Sequence, residues 1–193
     1  VYLVEKKEDY IKDFYLQTTE LRENSVELSA NYSLNLSGDF STDYSLKMRG
    51  DYKDKSFEYN IDKLWHNQGN MTFILESPAL WWPRDMGEQR LYRVKVELLY
   101  KNEVVDVKEF DFGIRKIELK HSEITDDEGS GEFCFYVNNQ PLFIRGTNWV
   151  ALDAFHSRDK ERLDKALELL RDIKISTNFP LLMNGSFVWH KSC

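Results

Sequence analysis

The sequence predicts a mainly β chain: an immunoglobulin-like β-sandwich over residues 9–113, then a hairpin and one β/α unit of a truncated TIM barrel over residues 114–193. Three observations carry that prediction. Short β-rich runs, about seven in about a hundred residues, recur between polar turns before Gly113, the spacing of a two-sheet sandwich. After Gly113 the composition changes to one strand, an acidic Ser- and Gly-rich stretch over residues 121–131 and a hairpin. The run from Phe143 to Phe155 is a strand signal that breaks at Gly146, presents Asn148, Trp149 and Asp153, and leads into a helix. A strand whose carboxyl end carries polar and aromatic groups before a helix is the first unit of a (β/α)₈ barrel, and active sites of such barrels lie at that end. About forty residues follow Phe155, whereas a barrel takes roughly 200 or more, so an incomplete barrel is expected.

The elements follow in order. Val26, Leu28, Ala30, Tyr32, Leu34 and Leu36 alternate with polar residues, which puts one face of a strand on a core and the other in water. Shorter signals of the same kind stand at Phe14–Leu16, Tyr44–Met48, Phe57–Ile61 and Met71–Leu75. Tyr92, Val94, Val96, Leu98 and Tyr100 make the clearest strand, and the turn Lys101-Asn102-Glu103 returns the chain to Phe112 as a hairpin. Ile114 to Lys120 reads as a strand, and Phe133–Val137 with Leu142–Ile144 as a hairpin about Asn138-Asn139-Gln140. One strong helix is expected over residues 158–173: Ser157 is a good N-cap, Asp159 suits the first turn, and Leu163, Ala166, Leu167, Leu170 and Ile173 fall on one face that should pack on a sheet. No sustained period organises residues 176–193.

Composition narrows the function classes. With 41% hydrophobic and 14% aromatic residues the chain can bury a sizeable core, and its net charge of −7 comes without any long basic run, which argues against nucleic-acid or acidic-lipid partners. No stretch approaches the roughly 20 apolar residues of a membrane-spanning helix, and no charged-then-apolar leader follows Val1. Cys134 and Cys193 have no metal-ligand spacing and make no disulfide framework, so Cys134 reads as a small buried hydrophobe. His156 has no second His or Cys at ligand spacing, so no metal site is expected. Asn31, Asn35, Asn70 and Asn184 begin N-x-Ser/Thr sequons, which matter only in a eukaryotic secretory host.

Four motifs in order then carry a family resemblance. Leu80-Trp81-Trp82-Pro83 with Gly87-Glu88-Gln89-Arg90-Leu91-Tyr92 is followed by Phe112-Gly113-Ile114-Arg115-Lys116-Ile117-Glu118-Leu119. Next come Phe133-x-Phe135-Tyr136-Val137-Asn138 and Phe143-Ile144-Arg145-Gly146-Thr147-Asn148-Trp149, with Asp153 and Phe155. Together they resemble the β-mannosidases of glycoside hydrolase family two, over about residues 70–173. Val1-Tyr2-Leu3-Val4 resembles the last strand of the jelly-roll domain that precedes the sandwich in that family, so residues 1–8 are expected to end that domain or form a linker. The pattern departs from the family after Ile173, where Thr177-Asn178-Phe179-Pro180 stands in place of Asn-x-x-Arg-x-Trp-Gly-Gly.

The resemblance implies part of a modular retaining exo-hydrolase that removes terminal β-mannosyl units without a cofactor, its sandwich supporting the catalytic barrel. The substrate would be a β-mannoside or related glycan, and the partners the remaining domains of the hydrolase. A periplasmic or secreted location would suit the parent protein. Retaining hydrolysis needs two carboxyls about 5–5.5 Å apart, one an acid and one a nucleophile. In the family both are glutamates on later barrel strands, one in an Asn-Glu motif that does not recur after the barrel start here; Asn102-Glu103 lies in a sandwich turn. The chain alone is therefore expected to be non-catalytic, and none of its glutamates is assigned a role.

Asn148, Trp149 and Asp153 are the expected substrate contacts of the intact enzyme, although Asp153 could equally turn the chain ahead of the helix. Trp81, Trp82 and Pro83 are expected to plug the core or an interdomain seam, with a sugar platform as the other reading. Tyr92 is expected to be the tyrosine corner of the sandwich. An exposed apolar stripe on the helix would favour self-association. A free-standing carbohydrate-binding or cell-surface sandwich is the alternative function.

Overall fold

The computed structural model describes residues 8–37, 43–122, 131, 133–144, 152, 153, 155 and 157–172. The chain divides into two units, Val1–Trp81 with Gln89–Lys116, and Trp82–Glu88 with Ile117–Cys193.

The first unit is a sandwich of two antiparallel sheets. Strands β1 (Tyr10–Leu21), β2 (Ser25–Asn35) and β5 (Gln68–Glu76) form one, in the order β1-β2-β5. Strands β3 (Tyr44–Tyr52), β4 (Lys55–Ile61), β6 (Tyr92–Tyr100) and β7 (Glu103–Phe112) form the other, in the order β4-β3-β6-β7. The fourth strand thus pairs with the third rather than joining the first sheet as in a constant-type immunoglobulin domain. Alternation decides what is buried: Val26, Leu28 and Ala30 of β2 and Val94, Val96 and Leu98 of β6 are wholly inaccessible, while Arg93 and Lys95 face outward. Leu46 and Met48 of β3 fill the space between, and Phe57 with Tyr59 of β4 stacks on Phe73 of β5. Asp106 of β7 reaches across to accept the Ile11 amide at 2.8 Å, pinning an edge of one sheet to the other. Lys101 and Asn102 take φ of 50° and 69°, the left-handed pair that a two-residue hairpin turn between right-twisted strands requires.

The second unit holds a three-stranded antiparallel sheet, β10-β9-β8, made of β8 (Ile117–His121), β9 (Phe133–Val137) and β10 (Gln140–Leu142), and the helix α1 (Asp159–Asp172). The hairpin return was expected at Leu142–Ile144 but begins two residues earlier. Asn138 and Asn139 alone make the turn, at φ of 50° and 65°, so pairing resumes at once with Gln140 opposite Val137. The strand expected from Ile114 starts at Ile117, because Ile114 is fully buried in the first unit and its carbonyl accepts the Trp81 amide. The stripe expected to pack is open: Leu163 and Leu167 are 40% and 45% exposed. Cys134 is buried, as a small hydrophobe would be.

Candidate functional site

The residues singled out from the sequence fall into three places. Asn148 and Trp149 lie outside the described residues. Asp153 precedes α1: its Oδ2 accepts the Ser157 hydroxyl at 2.7 Å, and the backbone amides of Phe155 and Ser157 also donate to its carboxylate. These bonds, with that from the Ser157 hydroxyl the largest, hold its pKa below the ordinary 3.8 despite slight desolvation. Asp153 therefore stays ionised at neutral pH and can accept hydroxyl hydrogen bonds but has no proton to give. Arg162 bonds the Leu152 carbonyl at 2.7 Å and approaches Asp153 to 4.0 Å, fixing the turn to the helix. Ser157, expected to cap the helix, donates its hydroxyl to Asp153, and the helix begins two residues later at Asp159.

Tyr92 opens β6 with its ring buried to 1% between Tyr52 and Phe57, and its Oη accepts the Ala79 amide at 2.9 Å. Burial raises its pKa, an effect that the Ala79 N–H partly opposes, so the phenol stays neutral and anchors the chain ahead of Trp81. Trp81 is half-buried. Its amide donates to the Ile114 carbonyl at 2.9 Å, and the Arg115 guanidinium lies 4.6 Å from its ring centre. A side chain at Gly113 would come within 2.8 Å of the indole, so glycine there is what lets the ring and the strand end meet. Arg115 also donates to the Gly113 carbonyl at 3.0 Å, and burial lowers its pKa below the usual arginine value. Its guanidinium still holds its charge and covers one face of Trp81, a cation–π contact that sequence reading quoted in a motif without assigning a role. In the second unit, Trp82 donates its amide to Glu88, Pro83 is buried, and Gly87 sits against the Trp82 ring, closing a tight loop.

A further surface feature went unnoticed in the sequence. The outer side of the β1-β2-β5 sheet carries an open groove of about 450 Å³, lined by Asp13, Tyr15, Asn31, Tyr32, Gln68 and Gly69 among others. Only register could have revealed it, since Tyr15, Asn31 and Gln68 come from three separate strands. Among the described residues no group of three or more His, Cys, Asp or Glu side chains is placed to hold a metal ion.

Comparison with known proteins gives this geometry a family. Mannosylglycoprotein endo-β-mannosidase of Lilium longiflorum is 33% identical over 171 residues, 84% of this chain and 16% of that protein. β-Mannosidase B of Thermothelomyces thermophilus is 33% identical over 95 residues, 49% of this chain and 11% of that protein. The crystal structure of the exo-chitosanase of Amycolatopsis orientalis shares the fold, with a TM-score of 0.58 at 16% identity over 87% of this chain and 19% of that one. The chain thus spans between 11% and 16% of the length of these curated relatives. The family model described as glycosyl hydrolases family 2 matches residues 9–115, and the chain belongs to that family.

Proposed function

We propose that the chain is the sandwich and barrel-start portion of a retaining exo-glycoside hydrolase that acts on terminal β-mannosides. On this reading residues 1–8 end a preceding jelly-roll domain or form a linker, 9–113 are the supporting sandwich and 114–193 open the catalytic barrel. The observation that carries the β-mannoside part is the 33% identity to the two mannosidases, one of them, an endo-β-mannosidase, over 84% of the chain, while exo action follows the resemblance of the sequence motifs to exo-acting β-mannosidases. The anchoring of Trp81 by Ile114, Gly113 and Arg115 supports a sandwich built to hold the end of its closing strand in a fixed place. Asn148, Trp149 and Asp153 would then contact the sugar beside the barrel's first strand, Asp153 as an ionised acceptor. Catalysis would come from a glutamate pair elsewhere in the parent protein.

Two assays test this. The chain alone should not release nitrophenol from an aryl β-mannoside, and turnover abolished by mutating one of its own carboxylates would overturn the supporting role. The full reading frame that contains the chain should cleave that substrate with retention at the anomeric carbon. Cleavage of only another aryl β-glycoside would reassign the sugar.

A further inference from the structure

We propose that Asn31 is an N-glycosylation site and that Tyr15 is the platform on which its first sugar rests. Three sequons lie among the described residues, Asn31-Tyr32-Ser33, Asn35-Leu36-Ser37 and Asn70-Met71-Thr72, and all three asparagines are exposed on the β1-β2-β5 sheet. The fold uses their side-chain nitrogens differently. Asn70 Nδ2 donates to both Ser29 Oγ (2.8 Å) and Asn31 Oδ1 (2.9 Å), and Asn35 Nδ2 donates to the Glu8 carbonyl (2.8 Å). Asn31 Nδ2 donates to nothing among the described residues, and its oxygen is what the network needs. A glycosylated amide keeps one N–H and its carbonyl. Modification at Asn31 therefore leaves every bond of the network in place, whereas at Asn70 it removes one of two.

Register supplies the second observation. Tyr15 stands directly opposite Asn31 on β1, as Asn70 does on β5, so the three side chains form one row across the sheet. Directly paired residues have Cβ atoms about 4.5–5.5 Å apart, so a sugar on Asn31 starts beside the Tyr15 ring, which is 57% exposed. The apolar face of a pyranose covers such a ring well, and the polar groups of Asp13 and Gln68 in the same groove can meet its hydroxyls. The same spacing makes two glycans, on Asn31 and Asn70 together, mutually exclusive. In the transfer, Asn31 Nδ2 bonds to the anomeric carbon of a polyprenyl-diphosphate-linked oligosaccharide while the carbon–oxygen bond to phosphate breaks. The amide proton is lost and the polyprenyl diphosphate leaves.

The test is secretion of the 193-residue chain from yeast behind an added leader, with peptide mass spectrometry before and after peptide-N-glycosidase. The expected result is a glycan on the Asn31 peptide, with loss of that glycan in both Asn31→Gln and Ser33→Ala. Ser33→Ala removes the sequon while keeping the Asn31–Asn70 bond, so it separates lost modification from lost folding. The glycosylated chain should melt about 2–4 °C above the unglycosylated Ser33→Ala variant, which keeps Asn31 as an amide, and Tyr15→Ala in both backgrounds should abolish that difference. A folded secreted chain with Asn31 bare, or with Asn70 as the carrier, overturns the site. A melting difference unchanged by Tyr15→Ala overturns the platform.

Discussion

The two units differ in how far each covers its own apolar side chains. In the sandwich the inward residues of β2 and β6 face one another across the two sheets, and Val26, Leu28, Val94, Val96 and Leu98 have no exposed surface. In the second unit Ile117 and Leu119 of β8 are 45% and 43% exposed, and Leu169 of α1 is 57% exposed beside the open stripe of Leu163 and Leu167. Both sets carry clean periodicity in the sequence, period two for β6 and period 3.6 for α1. Periodicity says which side chains seek cover; it does not say where the cover comes from. The sandwich supplies both faces of its core from within one hundred residues or so, which is why its stability should be self-contained.

The largest effects should therefore separate the units. Leu98→Ala removes a fully buried side chain from between the sheets and should cost about 2–5 kcal/mol in urea unfolding. Leu167→Ala should change stability by at most about 0.5 kcal/mol, because its side chain is already half in water. Amides after residue 114 should exchange faster than those of Tyr92 to Phe112 for the same reason. If the open stripe drives association, Leu167→Glu should lower the apparent mass in sedimentation without destabilising the sandwich. Equal costs for the two alanine variants would mean that the second unit has a core of its own, and the contrast would fail.

How legible this was from sequence depends on the range of the interaction. Val94, Val96 and Leu98 announce a buried strand because neighbours two apart share a face, and α1 was placed to within a residue or two because its period is local. The sheet in which β4 sits was not legible: its choice between β3 and β5 is made by pairing across many residues, which no local pattern encodes. The hairpin return was misplaced by two residues because Asn138 and Asn139 both adopt the left-handed conformation, a tight turn that the Asn-Asn pair permits but does not announce. Among candidate site residues, Asp153 was legible as a polar group ahead of a helix. The covering of Trp81 by Arg115 was not, since the two are 34 positions apart in the numbering (115 − 81) and meet only when β7 ends beside the loop.

A smaller effect sharpens the comparison from the sandwich side. Tyr92→Phe removes the oxygen that takes the Ala79 amide and leaves that N–H buried, Ala79 being 2% exposed. The cost should be about 1–3 kcal/mol, the penalty of an orphaned buried donor. Little or no loss would show that water reaches the Ala79 amide and that the hydroxyl does not anchor the corner.

The smallest effects are electrostatic, and each unit offers one. Asp9 accepts the Ser37 amide, the Ser37 hydroxyl and the Tyr44 hydroxyl. Burial alone would raise its pKa, but these bonds outweigh it and the net shift is downward from 3.8. Asp153 shifts the same way, chiefly through the Ser157 hydroxyl. A carboxyl with a depressed folded-state pKa stabilises the fold above its unfolded value and loses that contribution as pH falls through the folded one. Both contributions should thus be constant at neutral pH and fade below about pH 4, the ordinary value being 3.8 in each case. What they stabilise differs: Asp9 ties the start of β1 to the far sheet through Tyr44, while Asp153 holds only the turn before α1. Acidification should therefore lower the sandwich melting temperature through Asp9, and the helical signal at 222 nm through Asp153. Asparagine keeps one oxygen acceptor at either position but does not titrate in this range, so Asp9→Asn should flatten the first response and leave the second, and Asp153→Asn the reverse. One substitution that flattened both responses would mean that the two units unfold as a single cooperative body.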